Sequence, residues 1–125
     1  MNPKAADSYY NRGFIYDVRG NITRALADYN KAIEINPNYA AAYQNRSNIY
    51  ALQGYFTRAV SDLNKAIELK PNTADLYNNI GTIYAQQGEF LQALSAYNKA
   101  IEINPDYTDA YKNRIDVYQA LVHNK

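Results

Sequence analysis

Residues 74–107 read ADLYNNIGTIYAQQGEFLQALSAYNKAIEINPDY, and residues 6–39 repeat the pattern as ADSYYNRGFIYDVRGNITRALADYNKAIEINPNY. The prolines share this period of 34 residues throughout the chain, at Pro3, Pro37, Pro71 and Pro105. Glycines keep the same interval at Gly20, Gly54 and Gly88. A fixed period of this length predicts a solenoid made from one repeated supersecondary unit, and it argues against a globular enzyme.

Each unit contains two amphipathic segments. Between Gly20 and Pro37 the apolar residues follow a 3.6-residue stripe, namely Ile22, Ala25, Leu26, Tyr29, Ala32 and Ile33. A glycine can take the positive φ that ends the first helix, and a proline disfavours helix at the residue before it. The pattern therefore predicts seven helices, at about 6–19, 22–35, 40–53, 56–69, 74–87, 90–103 and 108–122.

These positions resemble the tetratricopeptide repeat family, whose helix–turn–helix unit has the same period. The second unit carries the family pattern as Tyr43, Ser47, Tyr50, Gly54, Ala59, Leu63, Ala66 and Pro71. The resemblance implies an all-α, right-handed superhelix (solenoid) of three such hairpins followed by a C-terminal capping helix. It also implies a single domain spanning residues 1–125, with repeats at about 6–39, 40–73 and 74–107 and the cap at 108–122.

Pairs of residues that change together predict contacts inside the hairpins. Small residues recur as Gly13 with Ala25, Ser47 with Ala59, and Gly81 with Ala93, and such pairs let helices approach closely. Arg12 and Arg46 are accompanied by Asp28 and Asp62, whereas Ile80 is accompanied by Ala96. We therefore expect a partly buried Arg–Asp bridge in each of the first two hairpins, which contributes more to register than to net stability.

The two ends of the chain depart from the repeat in different ways. In the last helix Arg114 lacks an Asp partner and Val122 replaces the turn glycine, which favours a terminal cap over a truncated repeat. At the other end Asn2-Pro3 has the form of a unit ending, like Asn36-Pro37. Two expectations stay open here, the C-terminal part of a longer array and a small protein that stands alone.

In the resembled family the first helices line a concave surface that binds extended peptides. Asparagines recur on these helices at Asn11, Asn45, Asn79 and Asn113. A carboxamide can pair with both groups of a peptide backbone, and this ladder is similar to the one in the repeat segment of the O-linked N-acetylglucosamine transferase. The structural alternative is that these amides only bridge or cap helices.

The remaining predicted peptide contacts surround the asparagine ladder. They are Tyr10, Phe14, Gln44, Asn48, Asn78, Thr82, Lys112 and Asp116. Tyr10 and Phe14 either supply most of the affinity or pack against an upstream helix, and both interpretations stay open.

The charges on this side predict the chemistry of the partner. Acids outnumber the single Lys112, which favours a neutral or mildly basic peptide; these acids are Asp7, Asp17, Asp75, Asp109 and Asp116. One family subclass holds chaperone C-terminal carboxylates with Lys, Asn and Arg. The matching positions carry Tyr10, Phe14, Asp75 and Asn79, or Gln44, Asn48, Asp109 and Asn113 one unit later. Without these cations we expect no binding of chaperone tails.

The alternative function is structural self-association. Val117, Leu121 and Val122 have no following helix in the sequence to cover them, so they predict a dimer interface, and a homodimer is the form that this alternative would take.

Composition argues against the other function classes. Thirteen Lys and Arg against twelve Asp and Glu indicate neither nucleic acid nor membrane binding. The only histidine, His123, lies close to the C-terminus, and no phosphate loop or metal-ligand spacing occurs, so we expect no enzymatic activity, no cofactor and no metal. The absence of cysteine, of a signal peptide and of a membrane span favours a cytoplasmic protein.

Overall fold

The computed structural model describes residues 3–123, and every regular element in that range is an α-helix. The helices are Pro3–Val18 (α1), Ile22–Ile35 (α2), Ala40–Leu52 (α3), Phe56–Leu69 (α4), Ala74–Gln86 (α5), Phe90–Ile103 (α6) and Thr108–His123 (α7). The predicted helices are confirmed, except that α1 begins at Pro3 rather than at residue 6. Proline is well tolerated there, because the first helical residue needs no N–H. Asn2, from the predicted unit ending, lies outside the described residues.

Glycine ends the first helix of each hairpin, as predicted. Gly20, Gly54 and Gly88 have φ angles of 81°, 84° and 77°. In each turn the residue after the glycine donates its N–H to a carbonyl five residues earlier, as from Tyr55 to Tyr50 at 2.8 Å. This bond satisfies a helix-end carbonyl and turns the chain into the second helix.

Asparagine and proline together end α2 and α6, whereas Lys70 takes the place of the asparagine after α4. Asn36 and Asn104 leave the helix in an extended conformation, with φ −130° and ψ 93°, as the residue before a proline prefers. The side-chain oxygen of each asparagine accepts the N–H of the residue two positions on, at 3.1 Å. The side chain thereby fixes the loop that leads to the next first helix.

The chain divides into two compact units, which are described separately. One unit ends at Leu69 and contains α1–α4; the other begins at Lys70 and contains α5–α7. In the N-terminal unit, Ala25, Tyr29 and Ile49 form a buried cluster that joins the two hairpins. In the C-terminal unit, α7 packs on α6 and contacts α5. None of the described helices is long and apolar enough to cross a membrane.

The two glycines within the first helices, Gly13 and Gly81, face aromatic rings, contacts that the predicted glycine–alanine pairs did not include. A Cβ placed on Gly81 would lie 2.7 Å from Cε1 of Tyr97, and one placed on Gly13 would lie 3.1 Å from the ring of Tyr29. In the second hairpin Ser47 and Leu63, at the equivalent positions, are both fully buried. The helices therefore approach where a small residue meets the bulky residue sixteen positions later, and the tyrosine ring requires glycine.

The predicted Arg–Asp bridges are confirmed. Arg12 donates through Nε and Nη2 to Asp28, both at 2.8 Å, and Arg46 donates in the same way to Asp62 at 2.8 and 2.7 Å. Both carboxylates are buried, so removing the paired guanidinium group would leave an uncompensated buried charge. Arg114 pairs with no carboxylate among residues 3–123, but its Nη1 donates to Oδ1 of Asn98 at 2.9 Å.

Short-range ion pairs lie on the surface of the second helices, at an (i, i+3) spacing. Lys31 approaches Glu34 to 3.6 Å, and the equivalent pairs Lys65–Glu68 and Lys99–Glu102 are both 3.9 Å apart. Pairs this exposed contribute little to stability.

The terminal helix corrects part of the self-association prediction. Val117 is only 3% exposed, because it packs with Ala93 and Tyr97 in the core of the C-terminal unit, and Leu121 packs against the same cluster. The expectation was wrong for Val117, because its side of α7 faces α6, which precedes it, whereas Leu121 is only partly buried. Val122 is 65% exposed, and Ile115 and Tyr118 are also about half exposed on α7.

Candidate functional site

The predicted contact residues occur on α1 and α3 in the N-terminal unit and on α5 and α7 in the C-terminal unit. The four asparagines at the 34-residue interval differ in exposure. Asn11 is exposed, whereas Asn45, Asn79 and Asn113 are partly buried. Two of them, Asn45 and Asn113, are tied to a neighbouring helix by hydrogen bonds.

In the N-terminal unit the amide nitrogen of Asn45 bridges helices. Its Nδ2 donates to Oη of Tyr10 at 2.9 Å and, over a longer 3.4 Å, to Oη of Tyr29. The carbonyl oxygen of Asn45 has no hydrogen-bond partner among residues 3–123. The nitrogen of the Asn45 amide is therefore used in bridging helices, which is one predicted alternative. Its oxygen is unpaired within residues 3–123, and the other alternative, peptide contact, stays a prediction.

Tyrosine rings support this amide. Tyr10 stacks on Tyr39, with ring centroids 5.0 Å apart, and lies 5.8 Å from Tyr29. The hydroxyl of Tyr39 donates to Asp7 at 2.7 Å, and that of Tyr29 donates to Asp17 at 3.0 Å. Burial first, and the adjacent carboxylate second, raise the pKa of both phenols above the ordinary value. Both hydroxyls consequently remain donors at neutral pH.

These contacts give Tyr10 two structural partners, Tyr29 and Tyr39, which neither predicted interpretation of Tyr10 included. The ring packs against residues that follow it in the chain, so it needs no upstream helix to explain it. Phe14, by contrast, is 49% exposed.

The C-terminal unit repeats the bridging arrangement with different residues. Nδ2 of Asn113 on α7 donates to Oδ1 of the buried Asn78 on α5 at 3.1 Å. The hydroxyl of Tyr107 donates to Asp75, and burial together with this bond raises the pKa of Tyr107 to about 12. As with Asn45, the carbonyl oxygen of Asn113 has no partner within the described part of the chain.

A cleft of about 300 Å³ opens between α5, α6 and α7. It brings together three predicted residues, Thr82, Asn113 and Asp116, with residues that the sequence analysis did not single out as contacts. The latter are Ala85, Gln86, Phe90, Tyr97 and Val117. The cleft thus combines apolar walls with a few polar groups, the usual composition of a ligand site.

The other predicted residues remain without a shared site. Asn48 and Lys112 are exposed, and Gln44 is partly buried, its main-chain carbonyl accepting from Ser47 at 2.6 Å. No group of three His, Cys, Asp or Glu side chains within residues 3–123 is arranged to hold a metal ion.

Sequence reasoning missed the Asp–Tyr contacts that join a first helix to the residue just before the next first helix, although a signal was present. Asp7 pairs with Tyr39 and Asp75 with Tyr107, each across 32 residues. In the intervening unit both members change together, to Ala41 and Thr73.

Known proteins show the same repeat. A family model described as tetratricopeptide repeat matches residues 6–39 and 74–107, another with that description matches 28–60, and one described as TPR repeat matches 47–88. No curated protein sequence matches the chain.

Solved structures agree with the family models. The first TPR of Spaghetti (RPAP3) bound to the HSP90 peptide SRMEEVD is 23% identical, with a TM-score of 0.91, and the match covers 98% of this chain and 97% of that one. The Arabidopsis OM64 TPR domain is 20% identical with a TM-score of 0.90, covering 96% and 99%. The Sgt2 TPR domain from Aspergillus fumigatus is 19% identical with a TM-score of 0.86, covering 95% and 80%. At these identities the likeness shows the fold.

Proposed function

Because the chain belongs to the tetratricopeptide repeat family, we propose that it is a protein–protein interaction module. Its ligand is an extended peptide segment of a partner protein, bound along the first helices. The main-chain contacts come from Asn11, Asn45, Asn79 and Asn113. The surrounding contacts come from Tyr10, Phe14, Gln44, Asn48, Asn78, Thr82, Lys112 and Asp116.

The observation that carries this proposal is the state of the amides. Asn45 and Asn113 are partly buried residues, each uses its nitrogen in a hydrogen bond to a neighbouring helix, and each leaves its carbonyl oxygen without a partner among the described residues. An acceptor held in place in this way loses little conformational entropy when a ligand binds. An extended peptide supplies backbone N–H donors that such acceptors can pair with, whatever its side chains are.

The exposed charges support a neutral or mildly basic partner. In the C-terminal unit Asp75, Asp109 and Asp116 are exposed, and Lys112 is the one basic residue among the proposed contacts. Like charges facing each other oppose binding, so an acidic peptide is disfavoured.

Peptide binding can be tested with peptides selected from a displayed library of unstructured sequences. Affinity is measured by calorimetry for the wild type, Asn45→Ala and Asn113→Ala, with Asn64→Ala, an exposed asparagine on α4, as the matched control. We expect each of the first two substitutions to weaken binding about fivefold to tenfold, the usual value of one hydrogen bond, and the control to change nothing. N-methylation of the bound peptide should weaken binding more than alanine replacement of its side chains. If only side-chain replacement matters, the proposed main-chain recognition is wrong.

The predicted exclusion of chaperone tails has its own test. The peptide SRMEEVD is the ligand of one structural neighbour, and its glutamates, aspartate and terminal carboxylate make it acidic. We expect it neither to bind this chain nor to compete with a selected neutral peptide. Micromolar binding that is lost when the terminal carboxylate is amidated would overturn the exclusion.

The alternative function is self-assembly through the terminal helices. It is favoured by the exposed apolar residues of α7, Ile115, Tyr118 and Val122. Light scattering across a wide concentration range tests it, comparing the wild type with Val122→Asp. A dimer that dissociates in this variant supports assembly, and a monomer at every concentration excludes it.

A further inference from the structure

We infer that the cleft between α5, α6 and α7 is a specificity pocket for an arginine side chain of the bound peptide. The inference deepens the proposed function and rests on it for one point, that the arginine belongs to a bound peptide. The pocket is defined here by Thr82, Tyr97, Asn113 and Asp116, with Phe90 and Val117 as apolar walls.

The hydrogen bonds in the cleft determine which groups it can offer. Thr82 has one hydroxyl proton, and its Oγ1 lies 3.1 Å from the carbonyl oxygen of Asn78, which can only accept. The same Oγ1 lies 3.1 Å from Oη of Tyr97, so the tyrosine must donate in that second bond. With its proton used, the oxygen of Tyr97 presents only lone pairs to the cleft.

Asn113 and Asp116 contribute further acceptors, although the carboxamides of Asn113 and Gln86 also keep N–H donors. Asn113 spends an N–H on Asn78, and its carbonyl oxygen remains without a partner within residues 3–123. Asp116 is exposed at the cleft, and no ion pair joins it to Lys112 or to any other described cation. The negative charge of Asp116 also reaches Tyr97, where it adds to burial in raising the pKa of that phenol.

A cleft in which acceptors and one negative charge predominate fits a ligand that has only donors. Guanidinium has five N–H donors and no acceptor, and its flat face packs on aromatic rings such as those of Phe90 and Tyr97. An ammonium group is smaller and more strongly hydrated, and it has no planar face to fill the apolar part of the cleft. A carboxylate would meet Asp116 and no donor from Tyr97.

The pocket is specific to the C-terminal unit. The residues equivalent to Asp116 one, two and three units earlier are Thr82, Asn48 and Phe14, none of them charged. The residues equivalent to Tyr97 and Asn113 in the N-terminal unit are Tyr29 and Asn45. There Asn45 donates to the tyrosine oxygen, and Tyr29 spends its own proton on Asp17. That unit therefore presents a comparable frame in which the acid, Asp17, stands at the position equivalent to Ala85 and already accepts the proton of Tyr29.

The test uses single-residue probes that do not depend on a peptide. N-acetylarginine methylamide and its neutral analogue N-acetylcitrulline methylamide are titrated into the isotope-labelled full chain, and backbone amide shifts are followed by NMR. We expect the arginine probe to shift the amides of Thr82, Gln86, Asn113 and Asp116, and the citrulline probe to bind at least about tenfold more weakly. Asp116→Asn should weaken the arginine probe by about the same factor.

Asp109→Asn is the matched control, because Asp109 is also an exposed acid on α7 and lies outside the cleft. Equal binding of the two probes, shifts that cluster elsewhere, or an equal loss in Asp109→Asn would each overturn the pocket. If selected peptides bind through their main chain while the arginine probe leaves the cleft unshifted, the pocket is wrong and the proposed function stands. If the probe binds the cleft and no extended peptide binds, the proposed function is wrong and the pocket stands.

Discussion

Replacing Gly81 by alanine tests how the third hairpin closes. The new Cβ would lie 2.7 Å from Cε1 and 2.9 Å from Cδ1 of Tyr97, a ring that is only 2% exposed and has little space to move into. Overpacking of this kind costs about 1–3 kcal/mol. Alanine returns about 0.5–1 kcal/mol through its better helix propensity. We therefore expect Gly81→Ala to lower the free energy of unfolding by about 1–2 kcal/mol.

Gly13 provides the matched comparison in the first hairpin. A Cβ there would lie 3.0 Å from Cβ of Asp28 and 3.1 Å from the ring of Tyr29, so the neighbours need give by only a few tenths of an ångström. The gain in helix propensity then roughly offsets the packing cost. Gly13→Ala should change the unfolding free energy by less than about 1 kcal/mol.

The second hairpin suggests how the defect at Gly81 can be relieved. It pairs Ser47 with Leu63, so Gly81→Ser and Tyr97→Leu together transfer a compatible pair into the third hairpin. Tyr97→Leu alone should cost about 2–3 kcal/mol, through the lost ring and the lost bond to Thr82. The double variant should be more stable than the sum of the single effects by about 1 kcal/mol.

Urea unfolding followed by circular dichroism measures the wild type and five variants: Gly81→Ala, Gly13→Ala, Gly81→Ser, Tyr97→Leu and the double variant. The urea dependence of each transition is checked for a constant slope. Steric conflict with the ring of Tyr97 is refuted if Gly81→Ala is as stable as the wild type, if Gly13→Ala is the more damaging of the two, or if the double variant is additive within about 0.3 kcal/mol.

Two further predictions concern charge and pH. Arg46→Ala leaves the carboxylate of Asp62 buried and unpaired, so it should lower the free energy of unfolding by about 3–5 kcal/mol. Arg12→Ala should lower it by less, because 60% of the Arg12 side chain is exposed. Urea unfolding ranks the two variants, and equal losses would contradict this reasoning. The pKa of Tyr107 is raised from 10.0 to about 12 in the folded chain, so its contribution is complete below pH 10 and is lost as the pH rises through 12. Thermal melting in alkaline buffers should show this loss, to which Tyr29, Tyr39 and Tyr97 also contribute because their pKa values are raised as well. Tyr107→Phe should make the loss smaller between pH 10 and 12, whereas Tyr55→Phe, at an exposed ring, should leave it unchanged.

The sequence was sufficient for the hairpins because their signals are local or repeated. Gly54 and Pro71 mark a turn and a helix end by their own backbone chemistry, and the period carries each assignment to the other units. The Arg46–Asp62 contact was predictable for a related reason. The third unit replaces both members of the pair by apolar residues, Ile80 and Ala96, and a change in both places points to a contact.

The same comparison would have found the partner of Gly81. In the first and third hairpins a glycine is accompanied by a tyrosine sixteen positions later, and in the second hairpin Ser47 is accompanied by Leu63. The residue four positions before that tyrosine or leucine is alanine in all three hairpins, and the predicted pairs named this alanine. A constant residue shows no covariation, so it cannot indicate which side chain fills the space opposite.

The terminal helix and the amides could not be assigned without coordinates. For α7 the absence of a following helix suggested an uncovered stripe, whereas Val117 is buried against the preceding helix α6. For the asparagines the repeat gives the position of the side chain but not the hydrogen bond made by each end of the amide. That depends on the Oη of Tyr10 coming within 2.9 Å of Asn45.

The two interpretations of the asparagines, bridging and binding, therefore become compatible. At Asn45 the nitrogen bridges two helices and the oxygen is the end proposed to bind the peptide, so Asn45→Ala removes both at once. A loss of peptide affinity in that variant indicates contact only if it exceeds what a loosened helix pair would cause. Asn11 separates the effects, because it is exposed and makes no hydrogen bond within residues 3–123. If peptide contact is real, Asn11→Ala should weaken binding while the unfolding free energy stays within about 0.5 kcal/mol of the wild type. Unchanged affinity would limit the main-chain contacts to the asparagines that the helices hold in place.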